Sequence, residues 1–218
     1  MAYDDATLDE IRQALAPEVA ANAAFDGWSA QAVDSAAMAL GIDADVAPLA
    51  FPGGPVDMID AWFVQVDAEM HARLPAETLA AMKIRARITT LVETRLEIVA
   101  PNREALRRAL AVLALPQNAL RAAKLGWRSA DVMWRAAGDT ATDYNHYTKR
   151  AMLGAVYAAT ITVFLDDDSE DFADTRAFLA RRIENIMQIE KVKAGLMPNR
   201  ERLPSLSRFI GRLRYPAV

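Results

Sequence analysis

The side chains with which this chain might do chemistry are few. It has two histidines, His71 and His146, and no cysteine. Thiolate metal sites, disulfides and cysteine nucleophiles are therefore excluded. Glu93 and Glu97 lie one turn apart in VETRLE, with Arg95 between them. A di-iron bundle would require Glu-x-x-His pairs on facing helices, and neither histidine follows a glutamate at that spacing. Salt bridging is the expected role of these carboxylates. Asp166, Asp167, Asp168, Glu170 and Asp171 form an acidic run. It lacks the glycine and closing glutamate of an EF-hand loop, so a solvated turn at a helix start is expected. No glycine-rich phosphate loop and no recognisable serine–histidine–acid set occurs. The residues point to a protein that is not an enzyme and carries no metal or cofactor.

Two other segments are more suited to contact than to catalysis. The first is MWRAAGDTATDYNHYTKRAML. Met133 and Trp134 precede a glycine turn. Asp143, Tyr144, Asn145, His146, Tyr147, Lys149 and Arg150 follow at the head of a helix. Tyr144, Tyr147 and Ala151 share one helical side, while His146 and Arg150 share another. Exposed aromatic, Met and Arg side chains are typical of interface hot spots; the same aromatics would equally serve to complete a core. The second segment is the C-terminus. As a helix, its residues Leu203, Leu206, Phe209, Ile210 and Leu213 fall within an arc of about 120°. Arg208 and Arg212 lie opposite and Arg214 lies at the flank. A basic helix with one bulky apolar face resembles an interfacial membrane helix. Each arginine near an anionic leaflet adds about 1 kcal/mol. Membrane contact is the favoured expectation; docking on the body or on a second subunit is the alternative.

The elements that must position these segments are helical. The chain has 218 residues, of which 53% are hydrophobic, with only nine glycines and ten prolines. That composition favours helices and a sizeable core. A first helix is predicted from about Asp4 to Ala24. Ser29 caps a second that ends at Gly41. Asp43 starts a short third through Ala50, closed by FPGGP. A fourth runs from Val56 to about Leu74. Pro75 opens a long fifth to Ala100, and Asn102 caps a sixth up to Pro116. Residues 117–125 and 129–137 are read as separate helical pieces. Thr142 or Asp143 caps a long helix through Leu165, and a last helix runs from Phe172 to about Ala194. The longest apolar stretch, Ala151–Leu165, is shorter than the roughly 18 residues of a membrane span.

The first three helices make a helix-turn-helix outline, but their charge opposes DNA. Residues 1–60 hold eleven acids and one arginine, a net of −10; the remainder holds 24 bases and 18 acids, a net of +6. The would-be recognition segment DADVAPLA has two aspartates and no base, whereas DNA affinity comes chiefly from Lys and Arg. The expected organisation is all-α: residues 1–54 form a small N-terminal helix-turn-helix lobe, residues 55–195 a larger helical lobe, to which the resemblance given below assigns a TetR-regulator-like fold, lipid binding and dimerisation, and residues 196–218 the basic amphipathic end. The N-terminus lacks a basic and an apolar region, so no secretory signal is expected. A TetR-type regulator with a small-molecule pocket is the alternative function, and a scaffold that binds an enzyme without carrying lipid is a third.

The stretches LVETRLEIVAPNREALRRALAVLALPQNA, MWRAAGDTATDYNHYTKRAMLGAVYAAT and DDDSEDFADTRAFLARRIENIM resemble the family of the ninth Coq protein, an accessory family of ubiquinone biosynthesis with a TetR-like fold. The resemblance covers about Gly27 to Lys193. It implies a non-catalytic homodimer that holds an isoprenoid lipid, a ubiquinone intermediate, in an apolar pocket. It implies peripheral attachment through the last helix, here at the inner face of a bacterial inner membrane. It also implies docking of the di-iron demethoxyubiquinone hydroxylase, the seventh Coq protein, at the patch from Met133 to Arg150. The family often has Trp where this chain has His146. The pocket is expected to be lined from the fifth helix through the long penultimate one, with Leu91, Val92, Leu96, Met152, Val156 and Phe164.

Overall fold

The computed structural model describes residue 3 and residues 5–140 and 144–196; within them, the side chains of residues 144, 145, 187 and 189–196 lie outside the description. Among the described residues the regular structure is all helical. Helix α1, Leu8–Asp26, starts later than predicted because Thr7 is its cap. The Thr7 hydroxyl accepts from the Glu10 N–H at 3.3 Å, and the Glu10 carboxylate accepts from the Thr7 N–H at 2.8 Å. This reciprocal pair satisfies two donors that a helix start leaves open. Helix α2, Ala30–Leu40, has the caps its sequence announces: Ser29 in front, and Gly41 behind in the left-handed region at φ 67°.

The predicted third helix is absent. Ala47–Ala50 forms a single 3-10 turn after a turn from Asp43 to Val46. Pro48 supplies no N–H and disfavours helical backbone at the residue before it. The position of a recognition helix therefore holds one short turn flanked by Asp43 and Asp45.

Helix α3, Pro55–Arg73, carries the largest run of core residues, with Ile59, Trp62, Phe63, Val66 and Met70 buried. The predicted long fifth helix is broken in two, α4 (Ala76–Ala80) and α5 (Ile84–Val99). Arg87 holds the break: Nη2 donates to the Ala80 carbonyl, Nε to that of Met82 and Nη1 to that of Ala137. Helix α6 spans Arg103–Leu113. The two pieces predicted around Gly126 are one helix, α7, Ala119–Ala136. Gly154 of α8 (Tyr144–Leu165) faces this stretch: a Cβ there would stand 3.9 Å, an ordinary contact distance, from Ala130 Cβ and from the Gly126 carbonyl oxygen. A Cβ at Gly126 itself would meet nothing within 4 Å, so α7 carries that glycine without a packing demand from α8. Helix α9 is Ala173–Leu196.

One contiguous core runs from Ile11 to Ile183. Trp28 joins the N-terminal helices to the rest. Its indole N–H donates to the Ala105 carbonyl at 3.0 Å, and its ring lies 5.5 Å from that of Trp62. No helix among the described residues is long and apolar enough to cross a membrane.

The acidic run is only partly solvated. Asp167 is buried and caps the start of α9. Its carboxylate accepts from the N–H and hydroxyl of Ser169 and of Thr175, at 2.5–2.9 Å. Burial pushes its carboxyl up, but these four donors hold it far below the ordinary carboxylate range. A carboxyl with a depressed folded value stabilises above its unfolded value and loses that contribution as pH falls through the folded one. Asp167→Asn is expected to cost about 1 kcal/mol at pH 7, the scale of a lost helix cap. It should also flatten the loss of thermal stability below about pH 4. Melting curves from pH 2 to 7 check both.

Candidate functional site

A cavity of about 350 Å³ lies among α5, α7, α8 and α9. Its wall is mostly hydrocarbon: Ile84 and Ile88 from α5, Met152 and Leu153 from α8, and Ile183 and Ile186 from α9. Ile84 and Ile88 are one turn apart, as are Ile183 and Ile186 within a residue, so each helix presents one apolar side. The size is at the lower end of small-molecule sites, which run about 300–1,000 Å³. Of the six residues expected to line a pocket, Met152 does so here. Leu91, Val92, Leu96, Val156 and Phe164 are instead part of the packed core. The break at residues 81–83 starts α5 at Ile84, and the cavity forms against that first turn, further toward the helix start than the sequence suggested.

The mouth is polar, and its charged groups are held by ion pairs or hydrogen bonds. Arg85, Arg87, Trp134, Gly138, Asp139 and Lys149 edge the cavity. Arg85 pairs with Glu184 across α5 and α9. The guanidinium of Arg87 is spent on three carbonyls. Asp139 accepts from Lys149 at 2.6 Å and from Arg150 at 2.9 Å, and Arg150 also donates to Asp131 at 2.5 Å. Burial pushes the Asp139 carboxyl up, but the bonds from Lys149 and Arg150 outweigh it and hold the group below its ordinary value. Asp131 follows the same pattern through Arg150 and Arg135. The Lys149 ammonium lies 5.3 Å from the Trp134 ring centre, and the Trp134 N–H donates to the Lys149 carbonyl at 3.0 Å. Lys149 thereby fixes Trp134, which forms part of the cavity wall.

The residues assigned to partner docking divide by depth. Tyr147 is 61% exposed. His146, Lys149 and Trp134 are half-buried. Met133 and Arg150 are inside, at 0% and 2% exposure, so they support the patch from beneath and do not face a partner. The reason is that Arg150 has two carboxylates, on α7 and on the following turn, that draw it inward. Tyr144 and Asn145 lie in the first turn of α8; their side chains, and Asp143, fall outside the described residues. So do all the residues expected at the membrane: Leu203, Leu206, Arg208, Phe209, Ile210, Arg212, Leu213 and Arg214.

Two features were not foreseen. Trp127 stands beside the patch, its ring 6.0 Å from that of Tyr147 and 6.3 Å from that of His146. Its place one heptad before Trp134 was the available signal. Behind the patch, Arg95 is fully buried and joins four helices through Asp67, Ser129 and Tyr157. Glu97, expected to salt-bridge, does pair with Arg176 at 3.5 Å. Burial raises the carboxyl of Glu93. Among the described residues no group of His, Asp and Glu side chains is arranged to hold a metal ion.

The COQ9 family model matches residues 119–190, which are α7, α8 and most of α9. Those helices carry the patch and much of the cavity wall. The ubiquinone biosynthesis protein COQ9, mitochondrial, of Rattus norvegicus is 35% identical over 170 residues, covering 75% of this chain and 54% of the rat protein. Its Homo sapiens counterpart is 34% identical, covering 75% and 53%. The Schizosaccharomyces pombe protein is 25% identical, covering 78% and 68%. The chain spans about half the length of the animal relatives. Among solved structures, a TetR transcriptional regulator from Nitrosomonas europaea ATCC 19718 superposes with a TM-score of 0.63 at 23% identity, covering 79% of this chain and 95% of that one. At that identity the likeness establishes a TetR-like all-α fold and nothing about DNA.

Proposed function

The chain belongs to the COQ9 family, and from that membership we propose that it is a non-catalytic lipid-binding accessory protein of ubiquinone biosynthesis. The observation that carries the reading is the cavity: hydrocarbon walls, a mouth edged by Trp134, Lys149 and Asp139, and the docking patch directly beside it. An isoprenoid quinone precursor is too apolar to cross water, yet its head group must reach an enzyme. A hollow of about 350 Å³ suits a head group or a short length of chain. A long tail would extend out of the mouth toward the bilayer. The chain would sit on the inner face of a bacterial inner membrane, attached through residues 203–214. There it would act as a homodimer and present its ligand to the di-iron demethoxyubiquinone hydroxylase. The turn at residues 43–50, with Asp43 and Asp45, leaves no basic helix for a DNA groove.

Organic extraction of the purified protein, followed by mass spectrometry, tests the proposal. An isoprenoid quinone or its precursor is expected at a stoichiometric level. A lipid-free extract from protein that also fails to take up added polyprenyl phenol would sink it.

A further inference from the structure

The aromatic side chains that the patch shows to solvent do not end at the head of α8. Trp127 of α7 is 38% exposed, and its ring, with those of His146 and Tyr147, forms a cluster in which all three centres lie within 6.3 Å of one another. Leu120 lies seven residues earlier on the same side of α7 and is 70% exposed. Lys124 stands between them. It is exposed and makes no ion pair among the described residues, whereas Arg121 and Arg128 beside it are tied to Asp57 and Asp60. Trp134 continues the line seven residues further and forms part of the cavity wall. At 1.5 Å per residue, Trp127 is about 10 Å along the helix from the cavity mouth.

We propose that Trp127 is the centre of the partner-docking surface, which extends down α7 to Lys124 and Leu120 and takes a protein face that is apolar with carboxylate at its edge. This rests on the docking role proposed above. A large rigid ring, partly exposed and braced by two others, is the side chain type that carries most binding energy in protein interfaces. A bilayer fits less well. Attachment to an anionic leaflet draws on clusters of unpaired basic residues, and this face offers one. Asp57, Asp60 and Asp131 are each neutralised by arginines beside them, so the face carries little unpaired charge to hold it on an anionic leaflet. A protein with mixed charge meets the same face without needing such a cluster. A partner seated on Trp127 and Tyr147 lies within about 10 Å, along α7, of Trp134 in the cavity wall, close enough for a receiving enzyme to reach the opening.

The test is binding of the full chain to the demethoxyubiquinone hydroxylase of the same organism in detergent. Four variants are compared: Trp127→Ala, Trp127→Phe, Lys124→Glu and Tyr147→Ala. Trp127→Ala is expected to weaken binding at least tenfold and Trp127→Phe clearly less. Lys124→Glu should weaken it severalfold. Lipid content, melting temperature and sedimentation with anionic vesicles should match the wild type in Trp127→Ala. Unchanged affinity in Trp127→Ala, with a loss in Tyr147→Ala, would overturn the extension and leave the patch standing. Lost vesicle binding with hydroxylase affinity intact would assign the face to the bilayer and overturn it too. A wild-type chain that does not bind the hydroxylase would overturn both the docking role and this extension.

Discussion

Arg95→Ala is expected to lower the unfolding free energy by about 3–5 kcal/mol, the usual loss when one partner of a buried ion pair is removed. Arg95 has no solvent exposure, and its partners come from three other helices. Nη1 pairs with Asp67 of α3, Nη2 donates to the Ser129 hydroxyl of α7 at 3.2 Å, and Nε donates to the Tyr157 hydroxyl of α8 at 3.2 Å. The guanidinium carbon also lies 5.2 Å from the Tyr157 ring centre. Burial pulls the Arg95 pKa down, but Tyr157 and Asp67 more than restore it, so the group stays charged. Truncation leaves Asp67 buried, with Arg128 Nε at 3.8 Å as its remaining cation. Among the described residues that nitrogen has no hydrogen-bond partner of its own. Its partial compensation places the loss toward the lower end of the range. Removing both charges, as Arg95→Met with Asp67→Leu, should recover much of it, since a buried pair contributes little net stability over apolar packing. Denaturant unfolding of the two single variants and the double one closes the cycle. A loss below about 1 kcal/mol in Arg95→Ala, or a double variant worse than either single, would show that the node does not hold the four helices together.

Arg95 also marks the limit of what the sequence discloses. In VETRLE it lies between two glutamates one turn apart, and local spacing reads it as part of a surface salt-bridge set. Its actual partners are 28, 34 and 62 residues away. No local rule brings them together. The same holds for Arg150, whose helix-face neighbours suggest exposure until Asp131 and Asp139 draw it inside. What is legible follows from short-range physics. The α2 caps at Ser29 and Gly41, the end of α8 at Leu165 and the all-helical class rest on interactions within a few residues or on composition. Breaks are harder. Gly126 reads as an interruption, yet α7 runs through it, since one glycine inside a long helix costs only about 1 kcal/mol. Residues 81–83 carry neither Gly nor Pro, yet the helix stops there, held by Arg87, which also reaches the Ala137 carbonyl fifty residues away. The cavity lies nearer the start of α5 than the pocket residues read from the sequence, because its wall begins at that helix end.

The patch and the cavity meet at one small set of groups, and this joins the two halves of the proposed role. Trp134 and Lys149 belong to both. Lys149 is tied to Asp139, and Asp139 to Arg150 beneath the patch. A force applied at Tyr147 therefore acts on the head of α8, which carries the lysine at the opening. A single substitution in the wall can separate occupancy of the cavity from integrity of the patch.

Met152→Trp is expected to reduce bound lipid at least tenfold while leaving hydroxylase affinity and folding nearly intact. Met152 is half-buried and forms part of the wall between Ile88 and the α9 isoleucines. Its flexible thioether yields to a ligand; an indole in its place is larger and rigid. Enlarging a side chain in a packed core costs about 1–3 kcal/mol, but here the added ring has a void of about 350 Å³ to enter. The expected loss of stability is therefore below about 1 kcal/mol, and the ring occupies the space a head group would take. Leu153→Ala provides the opposite case. Leu153 is 2% exposed, so its truncation should cost about 2–5 kcal/mol while widening the same hollow and leaving lipid bound. Together the pair dissociates stability from occupancy: the stable variant is empty and the unstable one is loaded. Mass spectrometry of extracted lipid, alongside urea unfolding of each, reads both quantities. Lipid retained at wild-type level in Met152→Trp would place the binding site elsewhere in the fold, whatever the stability of either variant.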